Sequence, residues 1–152
     1  MSRNRQRAME LFKQGYNCSQ AVLATFSDEI GIDFETALKI SSSFGGGMGR
    51  LREVCGAVSG MFMVVGMKFG FTNPKDKLSK SEHYKLIQQL ANNFKEKNHS
   101  IICRELLGLN TKGESYIPEA RTQEYYKKRP CIQLVGDAVD IIEEFISKEK
   151  AK

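Results

Sequence analysis

The residues with the clearest chemical potential are four cysteines, Cys18, Cys55, Cys103 and Cys131, in a chain of 152 residues. Their spacing contains no C-x-x-C pair, so neither a thioredoxin-type motif nor a zinc ribbon is predicted. A thiolate can attack as a nucleophile, form a disulfide or bind a metal ion. The cysteines therefore predict thiol redox chemistry or a metal centre, provided that the fold brings them together.

Each cysteine lies in or near the first turn of a separate predicted helix. The preceding residues are of types that begin helices: Asn17 before Cys18, a glycine stretch before Cys55, Ser100 before Cys103 and Pro130 before Cys131. A helix start offers unsatisfied N–H groups and the positive end of the macrodipole, which together lower the pKa of a thiol. Each cysteine also begins the apolar stripe of its helix. We therefore expect four inward-pointing thiols of lowered pKa that converge on one site.

The elements that position these thiols are helical along almost the whole chain. Apolar residues recur with helical spacing near residues 3–14, 17–31, 33–44, 50–67, 79–97, 100–107 and 130–146. The polar segment 108–129, which contains Gly113 and Pro118, is predicted to be mainly a long connection. No repeat or domain boundary interrupts the pattern. The prediction is an all-α, single-domain bundle of about six to seven helices over residues 1–152.

Composition narrows the class of protein further. A chain of this length buries enough surface to fold without disulfides. The longest uncharged run, residues 54–67, is too short to span a membrane. The N-terminus lacks the apolar segment of a secretory signal, so we expect a cytoplasmic protein with no membrane partner.

Positive charge exceeds negative charge by five, but it is dispersed along the chain. We expect the cluster Arg3, Arg5 and Arg7 and the run 127–129 to be solvated. Nucleic-acid binding would require a continuous basic surface or a recognisable module, and neither is visible. We therefore expect no nucleic-acid partner.

A glycine-rich stretch precedes Cys55. It lacks the Gly-Lys-Ser/Thr ending of a phosphate-binding loop, so we expect its glycines mainly to allow close approach of the backbone. As an alternative, the stretch and the arginines after it, Arg50 and Arg52, hold an anion or cofactor. The candidate binding residues are Gly45, Gly46, Gly47, Gly49 and Arg50.

Two further glycines, Gly56 and Gly60, predict tight helix packing around Cys55. The spacing resembles the small-xxx-small pattern of closely packed membrane helices. This tight packing could join two copies of the chain, so a homodimer is one prediction.

These residues resemble the family named for the cysteine pattern C_GCAxxG_C_C. The stretches that carry the likeness are GYNCSQAV at 15–22, FGGGMG at 44–49, CGAVSG at 55–60, CRELLG at 103–108 and Cys131. The similarity covers about residues 8–146. The second cysteine departs from the family name, since Val54 rather than glycine precedes it. The resemblance implies a redox-active protein but no particular reaction or substrate.

Three functions follow from the sequence. In the leading hypothesis, Cys18, Cys55, Cys103 and Cys131 form one thiol redox centre. Cys55 attacks a redox partner protein or a small thiol or disulfide, because the glycines around it leave room for a partner sulfur. In the alternative, the same four cysteines bind an iron–sulfur cluster or zinc. The third hypothesis is a module without redox chemistry that binds an anion or a partner helix through its glycine loop.

Overall fold

The helices of the computed structural model position every cysteine of the chain. The structure describes residues 1–109 and 115–152. The helices are α1 (Arg3–Lys13), α2 (Cys18–Thr25), α3 (Ser27–Ile30), α4 (Phe34–Ser41), α5 (Gly45–Met48), α6 (Gly56–Phe69), α7 (Lys77–Asn98), α8 (Cys103–Leu106), α9 (Gln123–Lys128) and α10 (Cys131–Lys150). A 3₁₀ turn, Ser42–Phe44, joins α4 to α5. The described residues form no β-strand, and the all-α prediction is confirmed.

Helix α2 lies at the centre and contacts α1, α4, α6 and α10. Its small apolar residues are buried because other helices surround them. Asn17 begins this helix with a capping box: its side chain accepts from the backbone N–H of Gln20 at 2.9 Å, and the Gln20 side chain accepts from the backbone N–H of Asn17 at 3.0 Å. This cap, which the sequence predicts, fixes Cys18 as the first residue of α2.

Helix α6 packs closely on α2 through its glycines. A Cβ added to Gly60 would lie 3.0 Å from the backbone oxygen of Ser19 and 3.0 Å from the Cβ of Val22. Such distances leave no room for a side chain on α6 at this point. The close packing predicted around Cys55 thus joins two helices of the same chain, and the homodimer stays a prediction.

The ends of the chain meet where α1 packs on α10. Arg5 lies against Gly136, and its guanidinium pairs with Asp137 at 3.2 Å and with Asp140 at 2.5 Å. The prediction that the N-terminal arginines are all solvated is wrong for Arg5. The reason is that α10 presents acidic residues to α1, a contact that a reading of α1 alone cannot reveal.

Several predicted boundaries differ from the structure. The helix predicted at 50–67 begins at Gly56, because residues 50–55 form a bend and an antiparallel bridge between Val54 and Ile102. The helix predicted at 17–31 is interrupted at Phe26. Helix α7 begins at Lys77, before the predicted start at residue 79, because Asp76 caps it by accepting from the backbone N–H of Ser79 at 3.0 Å.

In the described residues of the connection predicted at 108–129 there is a short helix, α9. Thr122 caps it by accepting from the backbone N–H of Tyr125 at 3.2 Å. Gly113, which the sequence places in this connection, lies outside the described residues.

Candidate functional site

All four cysteines line one cavity of about 290 Å³. Cys18, Cys103 and Cys131 are the first residues of α2, α8 and α10, and Cys55 is the N-cap of α6. The predicted positions at helix starts are confirmed. Cys55 and Cys103 are buried, whereas Cys18 and Cys131 are half-buried, and all four are thiols. The helix starts therefore meet around a shared space rather than at scattered places.

A short backbone pairing joins two of these cysteines. The N–H of Cys103 donates to the carbonyl of Glu53 at 2.6 Å, and the N–H of Cys55 donates to the carbonyl of Ile101 at 2.8 Å. The antiparallel bridge of Val54 lies between these two bonds. Cys55 and Cys103 thus lie on neighbouring backbone segments, although 47 residues separate them in the chain.

Gly56 makes room for a third sulfur. A Cβ added at this position would lie 2.7 Å from the Sγ of Cys18 and 2.8 Å from the carbonyl oxygen of Phe44. Because Gly56 follows Cys55 directly, the missing side chain allows Cys18 to approach the start of α6. Gly56 is therefore a structural requirement for the cluster of cysteines.

The glycine stretch before Cys55 serves mainly to pack side chains of the site. Gly45, Gly46, Gly49 and Arg50 line the cavity. A Cβ on Gly45 would lie 2.4 Å from the Cγ of Asn17. Gly47, with φ +70°, packs closely against Cys103: a Cβ added to Gly47 would lie 2.6 Å from the Cβ of Cys103. Binding of an anion or cofactor by these glycines stays a prediction.

Arg52 contacts a sulfur of the site directly. Its guanidinium Nη1 donates to the Sγ of Cys103 at 3.6 Å, and the residue is only 6% exposed. Arg52 has φ +62°, a conformation that costs a non-glycine residue of the order of 1 kcal/mol or more. The bond from its N–H to the carbonyl of Gly46 at 3.2 Å helps to hold it there. The strained backbone directs a buried cation at one thiol.

The prediction that helix starts lower the thiol pKa values is wrong for three of the four cysteines. Burial, together with the negative charge of a Cys18 thiolate, raises the pKa of Cys55 well above its usual value, although the N–H groups of Val58 and Ala57 lower it. Burial raises the pKa of Cys103, which Arg52 lowers in part. At Cys55, Cys103 and Cys131 the cost of burying a charged sulfur exceeds the gain from the helix starts.

At Cys103 the first N–H groups of the helix are already engaged. Those of Cys103 and Arg104 donate to the carbonyls of Glu53 and Arg52. They are therefore committed to the backbone pairing. Ser100, the predicted cap, instead accepts from the N–H of Ile102 at 2.9 Å and donates to Glu105 at 2.7 Å.

The raised thiol pKa values predict a loss of stability at high pH. Burial raises the pKa of Cys131 from its usual value of 9.0 to about 12 in the folded protein, so folding favours the protonated thiol. This contribution is complete below pH 9 and is lost as the pH rises from 9 to 12, with a slope of about 1.4 kcal/mol per pH unit. The free energy of unfolding of the reduced protein is measured by urea unfolding at several pH values between 9 and 12. We expect it to fall less steeply with pH in Cys131→Ser than in the wild type. Equal slopes would contradict this prediction.

The site residues that were not predicted as functional from the sequence include Arg121, Tyr125 and Arg129. The first two lie in the segment predicted as a connection, and Arg129 in the run predicted as solvated. Yet all three line the cavity, and the side chain of Arg129 is only 14% exposed. The feature of the sequence that could have indicated a functional role is their position shortly before Cys131.

Tyr125 remains a neutral hydroxyl next to the thiols. Burial and the negative charge of a Cys131 thiolate raise the pKa of Tyr125 to about 12. Its O–H is therefore a hydrogen-bond donor at neutral pH. The cavity thus presents a neutral donor and several cations to whatever enters it.

Two further structural properties concern the described part of the chain. No group of three or more His, Cys, Asp or Glu side chains among residues 1–109 and 115–152 is arranged to hold a metal ion. The metal-centre alternative stays a prediction. None of the described helices is long and apolar enough to cross a membrane.

The fold and the site define a class of protein: an all-α protein in which four helix starts bring four thiols to one cavity. The family model described as "Putative redox-active protein (C_GCAxxG_C_C)" matches residues 16–145, and the chain belongs to this family. No curated protein and no solved structure matches the chain.

Proposed function

We propose that the protein carries out thiol–disulfide exchange in the cytoplasm, with its attacking and resolving thiols among the four cysteines of the cavity. The observation that carries the proposal is the presence of all four thiols in one cavity, with a buried guanidinium on the Sγ of Cys103. A disulfide forms only where two sulfurs approach, and attack requires a thiolate. The substrate is a small disulfide or a disulfide of a redox partner protein.

Cys103 is the better candidate for the attacking thiol than Cys55, which the sequence favours. Arg52 stabilises the thiolate of Cys103, whereas no cation offsets burial among the causes that shift the pKa of Cys55. Cys18 is the candidate for the resolving thiol, because a charge on its sulfur affects the pKa of each of the other three cysteines.

The reaction consists of two exchanges. Cys103 loses its proton to water, its thiolate attacks one sulfur of the substrate disulfide, and the departing thiolate takes up a proton. Cys18 then loses its proton and attacks the sulfur of Cys103. A disulfide between Cys18 and Cys103 forms, and the second substrate thiol leaves with a proton. Two electrons pass from the protein to the substrate, and a dithiol reductant reverses the sequence.

Mass spectrometry of the reduced protein after treatment with hydroxyethyl disulfide tests these roles. In the wild type we expect a peptide pair linked through Cys18 and Cys103. In Cys18→Ser the reaction is expected to stop at a mixed disulfide on Cys103, because the resolving sulfur is absent. Cys131→Ser is the matched control and should still form the linked pair. Four unmodified thiols, or a mixed disulfide trapped on another cysteine, would contradict the proposal.

A further inference from the structure

The described lining of the cavity around the thiols contains more arginines than carboxylates. Among the residues that the structure describes, its lining includes the side chains of four arginines and one glutamate, Arg50, Arg52, Arg121, Arg129 and Glu119. Thiols of raised pKa are neutral at neutral pH, so they do not offset this charge. A cavity lined by one sign of charge attracts ligands of the opposite sign.

Arg121 is a fixed cation in one wall of the cavity. Its guanidinium donates to the carbonyl oxygens of Phe12 and Tyr16, the latter at 2.9 Å, and lies 4.0 Å from the centre of the Phe12 ring. Carbonyl oxygens satisfy donors of the guanidinium without cancelling its charge. Because these contacts already hold the side chain, little entropy is lost when an anion binds to it.

Elsewhere in the cavity lining, one carboxylate contacts two arginines. Glu119 pairs with Arg129 at 2.5 Å and with Arg50 at 3.7 Å. The Glu119 carboxylate is therefore shared between two guanidinium groups. A guanidinium binds a carboxylate through parallel hydrogen bonds, so an additional carboxylate fits the chemistry of this group.

Apolar residues in the cavity lining favour a small organic molecule over an inorganic ion. Phe12, Leu106, Leu107 and Leu134 contribute apolar surface. The volume of about 290 Å³ lies at the lower end of the range of about 300–1,000 Å³ that ligand pockets occupy. Such a cavity accepts a short aliphatic chain together with a charged group.

We propose that the cavity takes a small organic disulfide that carries carboxylate groups, with a carboxylate at Arg121 or Arg129 and the sulfurs facing Cys103. This inference rests on the proposed function and adds the class of substrate to it. The disulfide is the oxidant: it gains two electrons and two protons as two protein thiols become a disulfide, and it leaves as two carboxylate-bearing thiols.

Three disulfides of similar length and different charge test the inference. Dithiodipropionate is anionic, hydroxyethyl disulfide is neutral and cystamine is cationic. The rate at which each oxidises the reduced protein is divided by its rate with free cysteine, which removes differences in intrinsic reactivity. We expect the corrected rate to be about tenfold higher for the anionic than for the neutral disulfide, and lowest for the cationic one. The preference should weaken as salt is added.

Two variants at the same ion pair separate charge from structure. Arg129→Gln is expected to lower the preference for the anionic disulfide about threefold, and Glu119→Gln is expected to raise it by a similar factor. Both changes break the same contact, so a purely structural effect would move both variants in the same direction. Opposite shifts are specific to an electrostatic role.

The outcomes distinguish this inference from the proposed function. If no disulfide oxidises the protein, thiol–disulfide exchange itself is contradicted. If all three oxidise it at equal corrected rates, exchange stands and the anionic substrate class is overturned. Sulfate and succinate are also compared as inhibitors of the reaction at equal ionic strength. If sulfate inhibits as strongly as succinate, the inference that the cavity takes an organic anion is overturned. Shifts of Arg129→Gln and Glu119→Gln in the same direction would overturn the assigned role of the arginines.

Discussion

Gly56→Ala is expected to lower the free energy of unfolding by about 3 kcal/mol, at the upper end of the cost of overpacking a core. The added Cβ would lie 2.7 Å from the Sγ of Cys18, 2.8 Å from the carbonyl oxygen of Phe44 and 3.2 Å from the backbone nitrogen of Ser19. Two of these three atoms belong to the backbone and cannot rotate away. Helices α2 and α6 must therefore move apart, and Cys18, the first residue of α2, moves away from the start of α6.

Gly66→Ala is the matched control because it makes the same change in the same helix. Nothing lies within 4 Å of a Cβ added at Gly66. Alanine favours a helix over glycine, so this variant is expected to gain about 0.5–1 kcal/mol. Urea unfolding of the reduced variants at neutral pH measures both effects. Equal changes at the two positions would contradict the role assigned to Gly56.

The contrast between these glycines shows what the sequence can and cannot predict about the fold. Helical spacing and helix-starting residues predict the elements, and Asn17 and Asp33 act as the caps that their types indicate. Close approach depends on which helix lies opposite, which a single sequence does not reveal. Gly56 and Gly66 are the same residue in the same helix, yet only Gly56 faces a sulfur.

For the candidate site, the sequence predicts the placement of the cysteines more accurately than their chemistry. Periodicity places a cysteine at a helix start, and the structure brings all four starts to one cavity. The pKa of a thiol depends instead on burial and on the charges around it, which come from distant segments. Cys103 illustrates this, because its main cation, Arg52, lies 51 residues earlier in the chain.

The cations of the cavity were missed for a related reason. Arg121 and Arg129 belong to a polar segment with little periodicity, which is typical of an exposed connection. Contacts distant in the chain position Arg121, because the carbonyl of Phe12 accepts from its guanidinium and the ring of Phe12 packs against it. Arg129 is held by its ion pair with Glu119. Polar residues that contact a site through tertiary packing leave no local pattern.

Arg52→Gln is expected to slow alkylation of Cys103 about tenfold at pH 8. The guanidinium 3.6 Å from the Sγ of Cys103 favours the thiolate, so its removal raises the pKa of that thiol further. A rise of about one pKa unit lowers the thiolate fraction about tenfold below the midpoint. The pH profile of the reaction should move to higher pH, whereas the rate at its high-pH plateau should not fall. Arg52→Lys keeps a positive charge and should restore part of the rate.

Arg104→Gln separates the contact with sulfur from the overall change in charge. Arg104 follows Cys103 directly, but its guanidinium binds the carboxylate of Glu53 at 3.1 Å and the carbonyl of Arg52 at 3.2 Å. Arg104→Gln changes the net charge by the same amount as Arg52→Gln, but it does not remove a hydrogen-bond donor to the Sγ of Cys103. Iodoacetamide labelling of Cys103, followed by mass spectrometry from pH 6 to 11, measures the profiles, and thermal unfolding verifies that each variant is folded. An unchanged midpoint in folded Arg52→Gln, or an equal shift in Arg104→Gln, would show that the buried guanidinium does not activate Cys103.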